Sequence, residues 1–318
     1  MSNKFISFDT WWGGLNNIRY SYEVAAAISH ITGRTLILPE KIYVLFLSRH
    51  QEKSSFWDFW ELFDKEKFTS QFDTIDYSKV KDYKPYNTNQ QYFDKICDTI
   101  QCFPKTIKHP NWGPGKFGNE IYSLKNLNTE DKYIHFARNL FGHWYKHVEF
   151  PSEESKLQFK QKLKDGLRIK DSYKINFFNR PYNAIHVRFG DFNKTRPAST
   201  KILKDNLLEL VTKRISKQKP LFIATDEPNN KIFRELKGYD YYFLHDICEY
   251  NDVEGIAKDT LMCAGADEFY GSRFSTFTDY INILRHYDGK KDCSLQMLNH
   301  TFSGNERMSW DNLKVNQY

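Results

Sequence analysis

Residues 4–39 read KFISFDTWWGGLNNIRYSYEVAAAISHITGRTLILP, and the order of these pieces decides the fold. Residues 4–8 form a short apolar run with the length of a buried strand. Trp11-Trp-Gly-Gly-Leu-Asn-Asn17 is a glycine turn. Residues 18–32, rich in Ala25, Ala26 and Ala27, have helical spacing, and Gly33 is a helix stop. Thr35-Leu-Ile-Leu38 is a second strand, ended by Pro39. Strand, glycine turn, helix and strand make one βαβ unit, whose strands should pair in parallel.

The pattern recurs downstream. Tyr133-Ile-His-Phe136 predicts a strand and residues 138–147 a helix. Residues 50–130 are polar and aromatic with weak periodicity; they predict helices and long loops, with a turn at Asn111-Trp-Gly-Pro-Gly115. Residues 151–172 predict a charged helix with a Ser-x-x-Glu-like start. Strands at 182–188, 221–225, 241–244 and 268–270 then alternate with helices at 199–216, 229–237, 253–264 and 275–286. Two such runs predict an α/β chain of two doubly wound, Rossmann-like domains facing a cleft, divided near residues 150–180. A length of 318 residues fits that number.

Composition narrows the classes. Lys and Arg number 46 against 40 Asp and Glu, a net charge of +6. That suits an anionic ligand, but it is too weak and too scattered to mark nucleic-acid binding. A mean hydropathy of −0.68 describes a soluble chain. No apolar run approaches membrane-spanning length, and the N-terminus carries no signal-peptide pattern, so a cytoplasmic protein is expected. Seven Trp, 20 Tyr and 26 Phe should carry the core. The five cysteines, Cys97, Cys102, Cys248, Cys263 and Cys293, are odd in number and form no Cys-x-x-Cys, so free thiols are expected.

Several clusters can carry chemistry. Gly13-Gly14-Leu-Asn16-Asn17 sits where a strand becomes a helix, and glycines there let a backbone approach an anion or sugar. A tight turn with no ligand reads the same. His186-Val-Arg188-Phe-Gly190-Asp191 lies at the carboxyl end of an apolar strand, with His186 and Arg188 on one side of it. A guanidinium matches phosphate oxygens, and an Arg188–Asp191 ion pair is the structural alternative. Asp226 ends the next strand, either as a ligand residue or as a helix cap. Gly271-Ser-Arg-Phe-Ser275-Thr276-Phe277-Thr278 is a second strand-to-helix turn, and its clustered hydroxyls suit capping or phosphate. Asp259, one helix earlier, reads alone as a solvated carboxylate.

Other chemistries find no footing. No strict Asp-x-Asp exists to hold a divalent metal, and Asp64-Lys-Glu66 and Asp252-Val-Glu254 read as surface charge. His143 and His147 have metal spacing without an acidic partner between them. There is no Gly-x-Ser-x-Gly elbow, so a catalytic nucleophile has no candidate.

Taken together, these stretches resemble the GDP-fucose-dependent fucosyltransferases, the superfamily of the protein O-fucosyltransferases and the α-1,6-fucosyltransferases. The segments are Gly13-Gly-Leu-Asn-Asn17 with the Ala-rich helix and Gly33-Arg-Thr-Leu-Ile-Leu-Pro39; Tyr133-Ile-His-Phe136 with Leu140-Phe-Gly-His143; Ile185-His-Val-Arg188; and Asp259 through Ala266-Asp267 to Ser275-Thr-Phe-Thr278. The resemblance implies a GT-B fold, with residues 1–165 as the acceptor-side domain and 166–318 as the GDP-sugar domain. It implies inverting, metal-independent transfer of fucose from GDP-fucose to a glycan or protein acceptor, with no further cofactor. Arg188 would hold the β-phosphate, His186 and Asp259 would read guanine, and Ser275, Thr276 and Phe277 would hold the diphosphate. Asn16 and the Gly14 backbone would sit near the fucose, with Asp226 and Gly13 also on the donor side. Where some members carry a glutamate base, this chain has Gly13, which leaves Asp9 and Asp191 as candidates. A different nucleotide sugar, or a non-catalytic nucleotide-sugar or glycan-binding protein, are the rival readings.

Overall fold

A short apolar strand followed by a glycine turn and an alanine-rich helix buries itself best by folding the helix across the strand. That is what the chain does. β1 (Phe5–Phe8) leads to the helix Leu15–Thr32, and β2 (Thr35–Leu38) returns beside β1 in parallel. Gly33 closes the helix at φ 64°, a left-handed conformation that side chains resist. The helix starts three residues earlier than its apolar spacing predicts, because Asn16 and Asn17 occupy its first turn. The computed structural model describes residues 4–8, 14–44, 55–80, 101–103, 124–127, 130, 132–136, 148–190, 192–195, 197–272 and 275–290.

The chain divides into two units, Met1–Arg168 and Ile169–Tyr318. In the first, β3 (Ile42–Val44) and β4 (Ser55–Trp57) form an antiparallel pair. β5 (Thr74–Asp76), β6 (Gln101–Phe103) and β7 (Tyr133–Phe136) complete a parallel sheet in the order β5-β2-β1-β7-β6. Strands of three residues show no alternation, which is why residues 50–130 read as helices and loops. The predicted helix 138–147, with His143 and His147, and the turn at 111–115 lie outside the described residues.

Aromatic rings do fill this unit's core. Tyr22 stacks on Phe59 at 4.0 Å between centroids, and Phe59 stacks on Phe63 at 4.3 Å. Beside them the helix buries an ion pair, Arg19 Nη1 to Glu23 Oε2 at 2.6 Å. Burial pushes the Glu23 carboxyl up to about 7 against the pull of Arg19. The charged helix of residues 151–172 is observed as Glu153–Gly166, with Ser152 accepting from the Ser155 N–H. Asp64 is the N-cap of the helix Lys65–Gln71.

In the second unit, β8 (Asn183–Val187), β9 (Leu221–Thr225), β10 (Tyr241–Tyr242) and β11 (Glu268–Gly271) form a parallel sheet in the order β10-β9-β8-β11. The helices Pro197–Arg214, Asp252–Gly265 and Thr276–Tyr287 connect and follow these strands. The predicted helix 229–237 is a 3-10 turn, Lys231–Glu235, and β10 stops after two residues. Arg285, 0% exposed, donates to the carbonyls of Ala264 (3.4 Å), Ala266 (2.5 Å) and Asp267 (2.9 Å), closing the carboxyl end of the helix Asp252–Gly265. Lys290 also donates to the carbonyls of Gly265 and Ala266.

Candidate functional site

In the second sheet the chain runs outward from β8 through β9 to β10, then crosses back to place β11 on the other side of β8. The reversal makes the carboxyl ends of β8 and β11 the switch point, where open α/β sheets hold ligands. Those ends carry His186-Val-Arg188 and the turn into the helix Thr276–Tyr287. Two of the sequence clusters, 83 residues apart between Arg188 and Gly271, therefore meet across a single register step, His186 opposite Gly271.

The contact is direct. His186 Nδ1 and Thr278 Oγ1 are 2.7 Å apart in a buried hydrogen bond. The Phe277 ring lies 4.7 Å from the imidazole. Gly271 makes room for this approach, since a Cβ there would stand 2.6 Å from Thr278 Oγ1 and closer still to its methyl. Burial, with the Arg188 charge adding to it, pushes the His186 imidazole down to about 3, so the ring is neutral at ordinary pH.

Arg188 is one residue beyond β8, half-buried, with its guanidinium 5.0 Å from the Phe192 ring centroid. Its backbone is held from both sides. Ser272 Oγ accepts from the Arg188 N–H at 2.8 Å, and the Ser272 N–H donates to the His186 carbonyl at 2.9 Å. On the β9 side, Asp226 accepts from the Phe189 N–H at 2.9 Å and from the Gly190 N–H. Gly190 is required there, because a Cβ would stand 2.7 Å from Asp226 Oδ2. Burial raises the Asp226 carboxyl, while these amides and Arg188 oppose the rise. Of the two readings of Asp226, ligand residue or helix cap, the cap does not hold: Asn230 caps the following 3-10 turn, and Asp226 pins the turn beside Arg188. Ser272 and Thr278 were missed as site residues. Their signal was present in the hydroxyl-rich turn, but only the register shows which hydroxyls face β8.

Ser275 occupies the N-cap of the helix Thr276–Tyr287 without making a side-chain cap bond. Its Oγ is buried, the residue 1% exposed, and has no hydrogen-bond partner among the described residues. A cap hydroxyl that does not cap leaves its own oxygen, beside the positive end of the helix, to meet an anion. Thr276 begins the helix and Phe277 is half-buried beside His186. Asp259 is buried on the helix Asp252–Gly265, not solvated, and its charge helps raise the buried Cys263 thiol after burial itself.

The first unit repeats the scheme. β1 is flanked by β2 and β7, so its carboxyl end is also a switch point. Gly14 is the N-cap there, without a side-chain cap, and Asn16 in the first turn is buried with Oδ1 lacking a partner among the described residues. Gly13, Asp9 and Asp191 lie outside the described residues. No group of three or more His, Cys, Asp or Glu that could hold a metal occurs among the described residues. No helix among them is long and apolar enough to cross a membrane.

The sequence model of the family described as GDP-fucose protein O-fucosyltransferase matches residues 5–288. No curated protein matches the sequence. The fold is similar to POFUT1 in complex with GDP, at TM-score 0.51 and 14% identity over 89% of this chain and 94% of that one. It is similar to POFUT1 in complex with GDP-fucose at TM-score 0.51 and 13% identity, over 89% and 95%. Fucosyltransferase NodZ from Bradyrhizobium matches at TM-score 0.51 and 13% identity, over 89% and 94%. The two parallel-sheet units are thus of GT-B type.

Proposed function

Because the chain belongs to the GDP-fucose protein O-fucosyltransferase family, we propose that its second unit grips GDP-fucose at the β8–β11 switch point and that the chain transfers the fucose with inversion and without a metal. The observation that carries this reading is the Ser275 hydroxyl, buried at a helix start yet bonded to nothing described, on the same turn as the Thr278–His186 contact. Ser275, Thr276 and the first helical N–H groups suit the diphosphate. Arg188, on a backbone pinned by Ser272 and Asp226, stabilises the charge that develops on the departing β-phosphate. Asp259 and His186 suit guanine: a carboxylate accepts from its N1–H and N2–H₂, a donor pair that adenine lacks.

In the reaction an acceptor hydroxyl attacks the anomeric carbon from the side opposite the diphosphate. The bond from that carbon to the β-phosphate oxygen breaks, and GDP leaves with the electron pair. Arg188 supplies the cation at that oxygen. Gly14 and Asn16 suit the sugar end, and Asp9 or Asp191 accepts the hydroxyl proton. The acceptor is a glycan or a protein side chain. The free thiols Cys248 and Cys263 suit a reducing compartment such as the cytoplasm.

A nucleotide screen tests the donor. GDP should stabilise the chain by roughly 2.7 kcal/mol at a hundredfold excess over its Kd, with UDP and ADP doing little. Equal stabilisation by UDP overturns the guanine reading. Transfer of fucose from GDP-fucose should survive excess EDTA, and abolition by EDTA with rescue by Mn²⁺ overturns the metal-free mechanism.

A further inference from the structure

We propose that Thr278 sets the tautomer of His186, so that the imidazole presents Nε2–H as a fixed hydrogen-bond donor to the bound nucleotide; Thr278 is thereby a positioning residue for donor recognition. This rests on the donor reading above.

The argument starts from hydrogen-bond capacity. Thr278 is 0% exposed, and its hydroxyl has one partner among the described residues, His186 Nδ1 at 2.7 Å. A neutral imidazole carries one N–H, on either Nδ1 or Nε2. If Nδ1 carried it, Thr278 would accept, and its own proton would be buried with no acceptor. Leaving a buried donor unmade costs the full desolvation of that group. If Thr278 donates to Nδ1, the donor left over is the ring Nε2–H instead, on a residue that keeps 6% exposure where Thr278 has none, so water or a ligand can meet it and the cost is the lesser. The second arrangement wins, and it places the ring proton on Nε2, which has no partner among the described residues.

The local structure holds this choice in place. Gly271 lets Thr278 reach the ring, and the tilted Phe277 ring, 4.7 Å away between centroids, limits its motion. The His186 carbonyl is held by the Ser272 N–H at 2.9 Å, so the strand end cannot turn the imidazole away. The neutral ring follows from burial and from the neighbouring guanidinium. A donor at Nε2 seeks an acceptor. Guanine offers one at O6, where adenine offers an amino group with protons, so the tautomer adds to base selection on the same side as the Asp259 carboxylate.

The test reads the ring directly. Protein labelled with ¹⁵N-histidine reports which ring nitrogen is protonated, with the His186 signals assigned by their loss in His186→Gln. Wild type should show Nε2 protonated and Nδ1 bare at pH 7, before any ligand is added. Thr278→Ser keeps the hydroxyl and should keep that pattern, with GDP affinity within about threefold of wild type. Thr278→Val keeps the shape without the hydroxyl; it should mix the two tautomers and weaken GDP binding about tenfold by calorimetry, near the upper end for one hydrogen bond. A proton on Nδ1 in wild type overturns the proposal. So does a Thr278→Val protein that keeps both the wild-type spectrum and the wild-type affinity. If Thr278→Val does not fold, the wild-type and Thr278→Ser spectra still decide. Wild type that binds no GDP overturns the donor reading instead, while the ring spectrum continues to report on Thr278.

Discussion

The two strand-to-helix junctions at the switch points are built alike and end differently. Each follows the carboxyl end of a sheet strand, and each starts a long helix with no side-chain cap, at Gly14 and at Ser275. Each leaves a buried polar atom without a described partner, Asn16 Oδ1 and Ser275 Oγ. They differ one turn further in. In the first unit the buried ion pair lies within the helix, Arg19 to Glu23 at spacing i, i+4. In the second unit the helix reaches across to a strand, Thr278 to His186, next to Arg188. A pair within one helix stiffens that helix. A bond from helix to strand fixes two elements at the place where a ligand would touch both. The second junction is therefore the one to break first.

The largest effect should come from Arg188. Arg188→Ala should cut turnover by about 10²- to 10³-fold with the melting temperature nearly kept. Arg188→Lys should also be poor, because an ammonium cannot make two parallel bonds to phosphate. Turnover and melting are measured side by side; a folded mutant with near-wild-type turnover removes Arg188 from the chemistry and leaves the two junctions equivalent. Next is Gly271→Ala. Its new Cβ collides with Thr278, so stability should fall by about 1–3 kcal/mol in denaturant titration. An unchanged midpoint would mean that Thr278 does not need its place against β8.

Smaller again is a contrast between two caps. Asn251 accepts from the Glu254 N–H at 2.9 Å at the start of the helix Asp252–Gly265. Asn251→Ala should cost about 1 kcal/mol of stability and leave GDP affinity alone. Ser275→Ala should do the reverse, weakening GDP binding with little change in stability, as calorimetry and melting together will show. If Ser275→Ala destabilises as much as Asn251→Ala, Ser275 is an ordinary cap.

The smallest effect separates the junctions by pH. Glu23 is raised to about 7 in the folded chain, so its contribution is present at low pH and is lost as pH rises through that value. His186 is lowered to about 3, so its contribution is present above the ordinary histidine range and is lost as pH falls toward 3. Moving from pH 7.5 to 5.5 should firm the first helix and loosen β8, each by about 1 kcal/mol. Hydrogen exchange of the amides of residues 22–25 and 184–187, corrected for intrinsic rates, measures both; parallel shifts would refute the opposition.

What could be read from the chain alone follows from how long each signal is. β2, β7 and β9 are four or five residues of nearly pure apolar sequence, and their predicted ends coincide with the observed ones. β4 and β5 have three residues each, too few for an alternation of period two to stand out from chance, and went unseen. At the site, His186 and Arg188 were legible because a charged group beside a ring nitrogen is out of place at the end of an apolar strand. Thr278 and Ser272 were not, since a hydroxyl is at home on a helix or a turn. Only the pairing of Gly271 with His186 distinguishes them from their neighbours. Asp226 misled in the usual way of an aspartate after a strand: its bonds run sideways to Phe189 and Gly190, to a segment 37 residues away for Phe189, which local sequence does not contain.

Arg285 has a consequence for binding thermodynamics. Rooted in the helix Thr276–Tyr287, its guanidinium grips the carbonyls of Ala264, Ala266 and Asp267, where the helix Asp252–Gly265 ends, like a rivet. Asp259 rides on one of those helices and Ser275 begins the other, so the suggested base end and phosphate end of the nucleotide belong to a single stiff piece. A ligand spanning them spends no entropy in bringing them together, because folding has already done so. Association with such a jaw should be fast, and the heat capacity of binding should report buried surface alone, without the added signature of a coil becoming a helix.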